Sequence, residues 1–473
     1  MTAPAHDLTA HPWFFCGVGG SGMLPLALIL RGHGGEIAGS DRSRDQGRSA
    51  EKFAWLEAQG IRLFPQDGSG IVSADQTLVA SAAVERTVPE VVRAAELGCA
   101  TMTRAELLAT LFNASGCGIA VGGTSGKSTV TGMLGWIMAQ AGRDPTIMNG
   151  AVMKNFVSDD APFASARVGR GDIFVSEVDE SDGSIALYRP AIAVLNNVSL
   201  DHKSLEELRA LFGGFLATSR SAALNLDDEE TAALLALAHN ALTFAIERQD
   251  ATLHVEPGTI LAAASAISAI VIDARDGSRY DLVLGVPGRH NLANALAALS
   301  GASLAGIPVA DAVVALGSFA GLARRFDIVG ISPNGITVID DFGHNPEKVA
   351  ATLDTLRKHP GRVIAFFQPH GFGPLRQMGA ELAEVLATRL GPDDITLLCD
   401  PVYFGGTVDR SVSSEHVVAM IEAAGGHAEH IAERAACADR IVALARPGDR
   451  IVVMGARDDT LAAFARDILA RVT

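Results

Sequence analysis

The densest chemistry in the sequence lies in Gly122-Gly123-Thr124-Ser125-Gly126-Lys127-Ser128-Thr129. The apolar run Gly118–Gly122 leads into it, and the amphipathic run Val130–Ala141 leads out. A loop of this composition between a strand and a helix surrounds phosphates with backbone N–H groups. Its lysine offsets β/γ charge and its serine suits Mg2+. Val121 stands where the strict phosphate-loop motif has its first glycine. A second loop, Gly17-Val18-Gly19-Gly20-Ser21-Gly22, also follows an apolar run, with Asp41 further on. Its glycines let a diphosphate approach the start of a helix, and Asp41 is placed to accept from a ribose hydroxyl. That loop predicts a nucleotide diphosphate without choosing which.

Two further segments bring acids and a histidine to strand ends. Ile173-Phe174-Val175-Ser176-Glu177 is an apolar strand delivering a carboxylate, where a phosphate-loop enzyme has its metal-binding acid. Asn196-Asn197-Val198-Ser199-Leu200-Asp201-His202 ends another such strand, and His202 reads as a second metal ligand or a hydrogen-bonded loop residue. Gly288–Asn294, Arg324-Arg325-Phe326-Asp327, Asp340–Pro346 and Gln368-Pro369-His370 carry polar groups in short clusters. Taken singly these read as caps, linker charges or turns, with Asp341 and His344 as capping residues.

The elements that must position these groups alternate along the chain. Strands are predicted at Trp13–Val18, Glu36–Gly39, Thr77–Ser81, Gly118–Gly122, Asp172–Ser176, Ile192–Asn196, Ile336–Asp340, Val363–Phe367, Ile395–Cys399 and Arg450–Met454. Helical periodicity follows most of them, as in Arg104–Leu111, Leu205–Leu216 and Pro346–Arg357. That alternation predicts α/β domains with mainly parallel sheets. Asn113–Gly116 and Gly317–Gly321 break the pattern into three blocks, and both are expected to act as hinges when nucleotides bind. Between about residues 240 and 285 the period shortens, with an Asp276-Gly277-Ser278 hairpin turn.

With 473 residues, 48% of them hydrophobic, and a mean hydropathy of +0.25, the chain has ample apolar side chain for several cores. The net charge of −16 argues against a general nucleic-acid binder. Five scattered cysteines give neither a disulfide framework nor a zinc site and suit a reducing cytoplasm. No signal peptide and no membrane span are read, so a cytoplasmic location is expected, as a monomer or weak dimer. A nicotinamide dehydrogenase would use the first glycine loop but leave the second loop and its acid without a role. A non-catalytic nucleotide binder would have no need of so many charged groups together.

In this order, the motifs resemble the Mur ligase family, the ATP-dependent amide-forming ligases of peptidoglycan assembly and cell wall biogenesis. The resemblance rests on the Gly-Lys-Ser loop, the Glu177 strand, the Asp201-His202 segment, His290-Asn291-Leu292-Ala293-Asn294, Arg325-Phe326-Asp327 and Asp341-Phe342-Gly343-His344-Asn345-Pro346. It implies a Rossmann-like domain over 1–114 for a UDP-sugar, a central ATP-binding domain over 115–318 and a Rossmann-like C-terminal domain over 319–473. It implies a sugar-nucleotide site at Gly19, Gly20, Ser21, Gly22, Asp41 and Ser81. ATP would lie on Gly123, Thr124, Ser125, Gly126, Lys127, Ser128 and Thr129, with His290, Asn291 and Asn294 on its adenine side, Asp341 at its ribose and Arg325 at its γ-phosphate. Mg2+ would sit on Ser128, Glu177 and His202. Lys127, Arg325 and His344 would be catalytic, the last beside the incoming amine. The implied activity joins an amino acid, with L-alanine favoured by motifs from Phe15–Met23 to Met454-Gly455-Ala456, to the muramoyl carboxylate of UDP-N-acetylmuramate through an acyl phosphate. A preformed peptide or another amine is the alternative, because Gly371-Phe372-Gly373-Pro374 replaces the Arg-rich run the family has after Gln368-Pro369-His370.

Overall fold

The computed structural model describes residues 11–81, 84–200, 203–402, 411–458 and 460–472. It contains three sheets in succession. The first is built from β1 (Pro12–Cys16), β2 (Glu36–Ser40), β3 (Arg62–Phe64), β4 (Thr77–Ala80) and β5 (Ala100–Thr103), in the order β3-β2-β1-β4-β5. Every pairing is parallel, so the strands' carboxyl ends, and the loops that follow them, share one edge. The strand interiors Trp13–Cys16 and Ile37–Ser40 are buried, as a parallel sheet covered by helices requires.

The second sheet contains β6 (Cys117–Gly122), β7 (Thr146–Met148), β8 (Ala166–Arg167), β9 (Ile173–Glu177), β10 (Ile192–Leu195), β11 (Ser221–Asn225), β12 (Ala241–Ala245), β13 (Leu253–Val255), β14 (Leu261–Ala262), β15 (Ile267–Asp273) and β16 (Ser278–Leu284). Its order is β14-β15-β13-β12-β11-β10-β6-β9-β7-β8, with β16 paired to β15. The run from β13 to β7 is parallel, and β15 and β16 form the antiparallel hairpin predicted around Asp276–Ser278. The third sheet has β17 (Asp327–Ile331), β18 (Thr337–Asp341), β19 (Val363–Gln368), β20 (Ile395–Leu398), β21 (Ala428–His430) and β22 (Arg450–Gly455) in the order β17-β18-β22-β19-β20-β21. Only β17 in it is antiparallel. This is the three-domain α/β architecture expected from the sequence.

The hinge expected at Asn113–Gly116 is not one. Trp13, Phe15 and Leu26 of the first block and Phe174, Ile185 and Phe212 of the second belong to one buried apolar cluster. Phe112 lies 5.6 Å from Phe174 and 5.2 Å from Tyr188, centroid to centroid. Asn113 donates from Nδ2 to the Leu187 carbonyl at 2.9 Å, and its Oδ1 accepts from Arg189 N–H at 2.8 Å. Opening this junction would expose aromatic surface at about 25 cal/mol per Å2, so it stays closed. The chain accordingly divides into two compact units, and the long C-terminal segment of the second begins at Leu322.

The second linker is also tied for most of its length. Ala320 N–H donates to Asn155 Oδ1, Asn155 Nδ2 donates to the Ser318 carbonyl, and Trp136 Nε1 donates to Ser318 Oγ. Gly321, with φ +84°, is the residue at which the first unit ends. Among the described residues no helix is long and apolar enough to cross a membrane.

Candidate active site

The phosphate loop follows β6, and its backbone is shaped by asparagines. Gly126 has φ +86°, and a Cβ there would fall 2.4 Å from Asn294 Oδ1 and 2.7 Å from Asn196 Nδ2. Only glycine lets the loop lie this close to the helix Arg289–Leu304. Asn196 Nδ2 donates to Asn294 Oδ1 at 2.9 Å and to the Ser125 carbonyl at 3.2 Å. Asn197 holds Ser125 from both sides, accepting its N–H at 2.8 Å and donating to its carbonyl at 3.0 Å. Thr124 exchanges hydrogen bonds with the backbone of Ser199. The helix Lys127–Gln140 starts at the lysine, three residues before the predicted Val130.

Lys127 is already engaged. Its Nζ donates to the Gly123 carbonyl at 2.7 Å and to both oxygens of Glu180, at 3.0 and 2.9 Å. The Glu180 side chain is 6% exposed, so the ammonium balances a carboxylate with little access to water. Beside it, Ser128 Oγ donates to Glu177 Oε2 at 2.7 Å. β6 and β9 are neighbours with Val121 opposite Glu177, which is why Ser128 and Glu177, 49 residues apart in the chain, meet there. Asp179 follows on the same acidic turn. Burial opposes its ionisation, but hydrogen bonds from Ser181 and the charges of Lys127 and Arg104 together hold its carboxyl below the usual range. Among the described residues no three His, Cys, Asp or Glu side chains converge as a metal cluster. His202 lies outside the described residues.

Asn294, expected on the adenine side of ATP, is tied to the loop by its neighbours. Its amide is the buried support under the loop, and its Nδ2 donates to Asn291 Oδ1 at 3.3 Å. His290 is exposed at the start of that helix. At the first glycine loop, Asp41 is likewise engaged locally. Its Oδ1 accepts from Ser43 N–H at 2.8 Å, capping a short helix, and its Oδ2 accepts from Gly19 N–H at 2.9 Å. These two bonds make Asp41 a group that fixes the loop. Gly20 and Ser21 are exposed and Gly22 is half-buried, just ahead of the helix Met23–Gly32. Ser81 is half-buried just past the end of β4.

The second unit gathers Arg325, Asp341 and His344 at the end of β18. Arg324 and Phe326 have φ of +60° and +46°, a strained turn on both sides of Arg325. Arg324 is structural, donating to Asp340 Oδ1 and to the Gly455 and Asp458 carbonyls. Burial raises the Asp340 carboxyl to about 6, against the pull of Arg324. The Arg325 guanidinium instead stacks over the Phe342 ring, 4.4 Å from its centroid. Asp341 Oδ2 accepts from Phe326 N–H at 2.7 Å, and its Oδ1 accepts from Gly343 N–H at 2.7 Å and Thr352 Oγ1 at 3.0 Å. It anchors the turn that carries Arg325.

His344 Nδ1 lies 2.8 Å from the Phe342 carbonyl, and its ring meets that of His370 edge-on at 5.2 Å. Burial, with Lys348 nearby, pushes His344 down to about 3, and burial with Arg457 nearby pushes His370 down to about 4. Both are therefore neutral at pH 7. A carbonyl can only accept, so Nδ1 of His344 carries the proton and Nε2 presents a lone pair. The two rings flank a cleft continued by Phe367, Leu375, Met378 and Leu382. So weak a base positions an amine through a hydrogen bond better than it deprotonates an ammonium.

The structure thus brings Lys127, Ser128, Glu177 and Asn294 together in one unit, and Arg325, Asp341 and His344 together in the other. Three further residues shape the site: Glu180, three positions past the Glu177 strand, and Asn196 and Asn197, ahead of His202 in their motif. The sequence signal for Asn196 and Asn197 is their place directly after the apolar strand Ile192–Leu195, and for Glu180 its place in the acidic turn after Glu177.

Comparison with known proteins adds the family. Residues 14–115 match the model described as Mur ligase family, catalytic domain; 121–302 the Mur ligase middle domain; and 324–457 the Mur ligase, glutamate ligase domain. The UDP-N-acetylmuramate–L-alanine ligase of Pelotomaculum thermopropionicum is 34% identical over 454 residues, 94% of each chain. That of Agrobacterium fabrum is 33% identical over 461 residues, again 94% of each. The crystal structure of the UDP-N-acetylmuramate–alanine ligase from Thermotoga maritima superposes with a TM-score of 0.80 at 25% identity, over 97% of this chain and 98% of that one.

Proposed function

The chain belongs to the Mur ligase family and is an ATP-dependent ligase of that type, and from this premise we propose that it joins L-alanine to the muramoyl carboxylate of UDP-N-acetylmuramate. The observation that carries this reading is the loop in which Lys127 and the Ser128–Glu177 pair meet, within a chain similar end to end to alanine-adding ligases. We divide the roles as 1–114 for the sugar nucleotide, 115–318 for ATP and 319–473 for closing on ATP and presenting the amine, in the cytoplasm.

In the first step a carboxylate oxygen attacks the γ-phosphorus and ADP leaves, giving an acyl phosphate. In the second the neutral amine attacks the acyl carbon, the carbon–oxygen bond to phosphate breaks, and the departing phosphate takes up the proton the amine loses. A carboxylate repels the triphosphate it must approach. Lys127 offsets that repulsion from the loop, and the resemblance assigns the same work to Arg325, on its Phe342 shelf. On ATP binding, Lys127 exchanges the Glu180 carboxylate for phosphate oxygens. The oxygen pair of Ser128 and Glu177 fits the hard-oxygen donor set of Mg2+, with His202 the further ligand the resemblance implies. Bound there, Mg2+ would supply charge neutralisation to the phosphates. Neutral His344 holds the amine by its Nε2 lone pair.

A second reading, addition of a preformed peptide or another amine, is favoured by Gly371-Phe372-Gly373-Pro374 and the apolar cleft beside it. One experiment tests both: phosphate release from ATP and Mg2+ with UDP-N-acetylmuramate across a panel of amino acids and short peptides. Release with L-alanine above all others supports the first reading. Release with a peptide alone supports the second. Release with no amine in the panel refutes both.

A further inference from the structure

The first glycine loop presents no positive charge of its own. Gly19, Gly20, Ser21 and Gly22 are neutral, and Asp41 already accepts from two backbone N–H groups. Two cations bracket this loop. Lys52, in the first turn of the helix Ala50–Ala58, donates from Nζ to the Gly19 carbonyl at 3.3 Å, with the Phe163 ring centroid 6.0 Å away. Arg104, the first residue of the helix Arg104–Asn113, runs along Gly22. A Cβ at Gly22 would lie 3.0 Å from Arg104 Cδ and 3.4 Å from its Nε and Nη1.

Neither cation is where helix electrostatics would put it, because the positive end of the macrodipole disfavours a positive side chain in the first turn. The helix Arg104–Asn113 does not need Arg104 for its start, since Thr103 and Glu106 already form a capping box. The nearest carboxylate to the Arg104 guanidinium is Asp182, at 4.0 Å, the outer limit of an ion pair. Among the described residues Arg104 donates no hydrogen bond, although its side chain is only 24% exposed. A local rule broken at two cations that face one loop is the mark of a ligand site. A guanidinium with its donors unused suits a phosphate, which it can grip with two parallel hydrogen bonds.

We propose that Lys52 and Arg104 are the charge partners of the sugar nucleotide's diphosphate, one on each side of Gly19–Gly22. The proposal rests on the reading of this loop as the sugar-nucleotide site.

The test measures binding of UDP and of uridine to the full chain by calorimetry, with competition where binding is weak. The variants are Lys52→Met, Arg104→Gln, Arg104→Lys and Asp182→Asn, each checked for folding by circular dichroism. Lys52→Met and Arg104→Gln should each weaken UDP by about 10- to 100-fold, the usual worth of a hydrogen bond to a charged group, and leave uridine unaffected. Arg104→Lys should recover part of the loss, and Asp182→Asn should leave UDP affinity as it was. Unchanged UDP affinity in both folded variants overturns the proposal, as does an equal loss for UDP and uridine, which would mark a structural role. An unaltered chain that binds neither UDP nor UDP-N-acetylmuramate refutes the site reading itself. Binding by that chain with unresponsive variants refutes only the two residues.

Discussion

Replacing Lys127 by alanine should destabilise the protein as well as silence it, and the two effects should separate in a second variant. The ammonium lies within 3.0 Å of both oxygens of Glu180, whose side chain is 6% exposed against 20% for the lysine. Removing one partner of a fully buried pair costs about 3–5 kcal/mol because the other charge stays buried alone. Partial access of water to the lysine reduces this to about 2 kcal/mol here. Glu180→Gln in the Lys127→Ala background removes the stranded charge, so most of that stability should return. Activity should not return, because the charge facing the developing γ-phosphate is still missing, a loss of about 10²–10³ in rate. Urea unfolding followed by circular dichroism, alongside phosphate release with all substrates saturating, reads both quantities. Lys127→Ala with wild-type stability would refute the pair as a structural element. A double variant that regains turnover would refute the role of Lys127 in the reaction.

Gly126→Ala should abolish nucleotide binding, since its Cβ would sit 2.4 Å from Asn294 Oδ1 on a backbone at φ +86°; ATP-induced thermal stabilisation measures this. Glu177→Gln should raise the Mg2+ concentration needed for half-maximal activity, read from a Mg2+ titration at fixed ATP, with an unchanged midpoint counting against the Ser128–Glu177 site. His344 and His370 have folded pKa values of about 3 and about 4, below the ordinary 6.5, so the unfolded chain binds more protons below pH 6.5. Their stabilising contribution should therefore be full above that pH and fall as the pH drops toward the folded values, by about 1 kcal/mol for each ring at pH 5 after allowing for partial exposure. Urea midpoints at pH 7.5 and pH 5 for the unaltered protein and for His344→Gln and His370→Gln should show the drop shrinking in each variant.

Much of the scaffold was legible because parallel strands buried on both faces leave apolar runs bounded by glycine and polar residues. Ile173–Glu177 and Ile192–Leu195 are such runs, and both were found within a residue or two. Short or polar strands were missed: Arg62–Phe64, Thr146–Met148 and Ala428–His430 hold their places through neighbours, with too few residues to show a period. The nature of the junctions was not legible either. Asn113–Gly116 reads as a linker by composition, yet Phe112 and Asn113 bind it to Phe174, Tyr188, Leu187 and Arg189, a tertiary fact that no local pattern carries. At the site, residue types pointed to the right segments but not to their partners. That Asp41, Asn294 and Asp341 hold backbone or neighbouring amides follows from strand register and loop path, which bring Gly19, Asn196 and Phe326 to them.

The central claim is that the muramoyl carboxylate is activated by phosphoryl transfer before the amine attacks. UDP-N-acetylmuramate carrying ¹⁸O in both carboxylate oxygens, turned over with ATP, Mg2+ and L-alanine, puts the claim to mass spectrometry. The account predicts that the released phosphate carries one ¹⁸O atom and the amide product keeps the other. Amide product formed alongside unlabelled phosphate, with the lost ¹⁸O recovered in water, would contradict it.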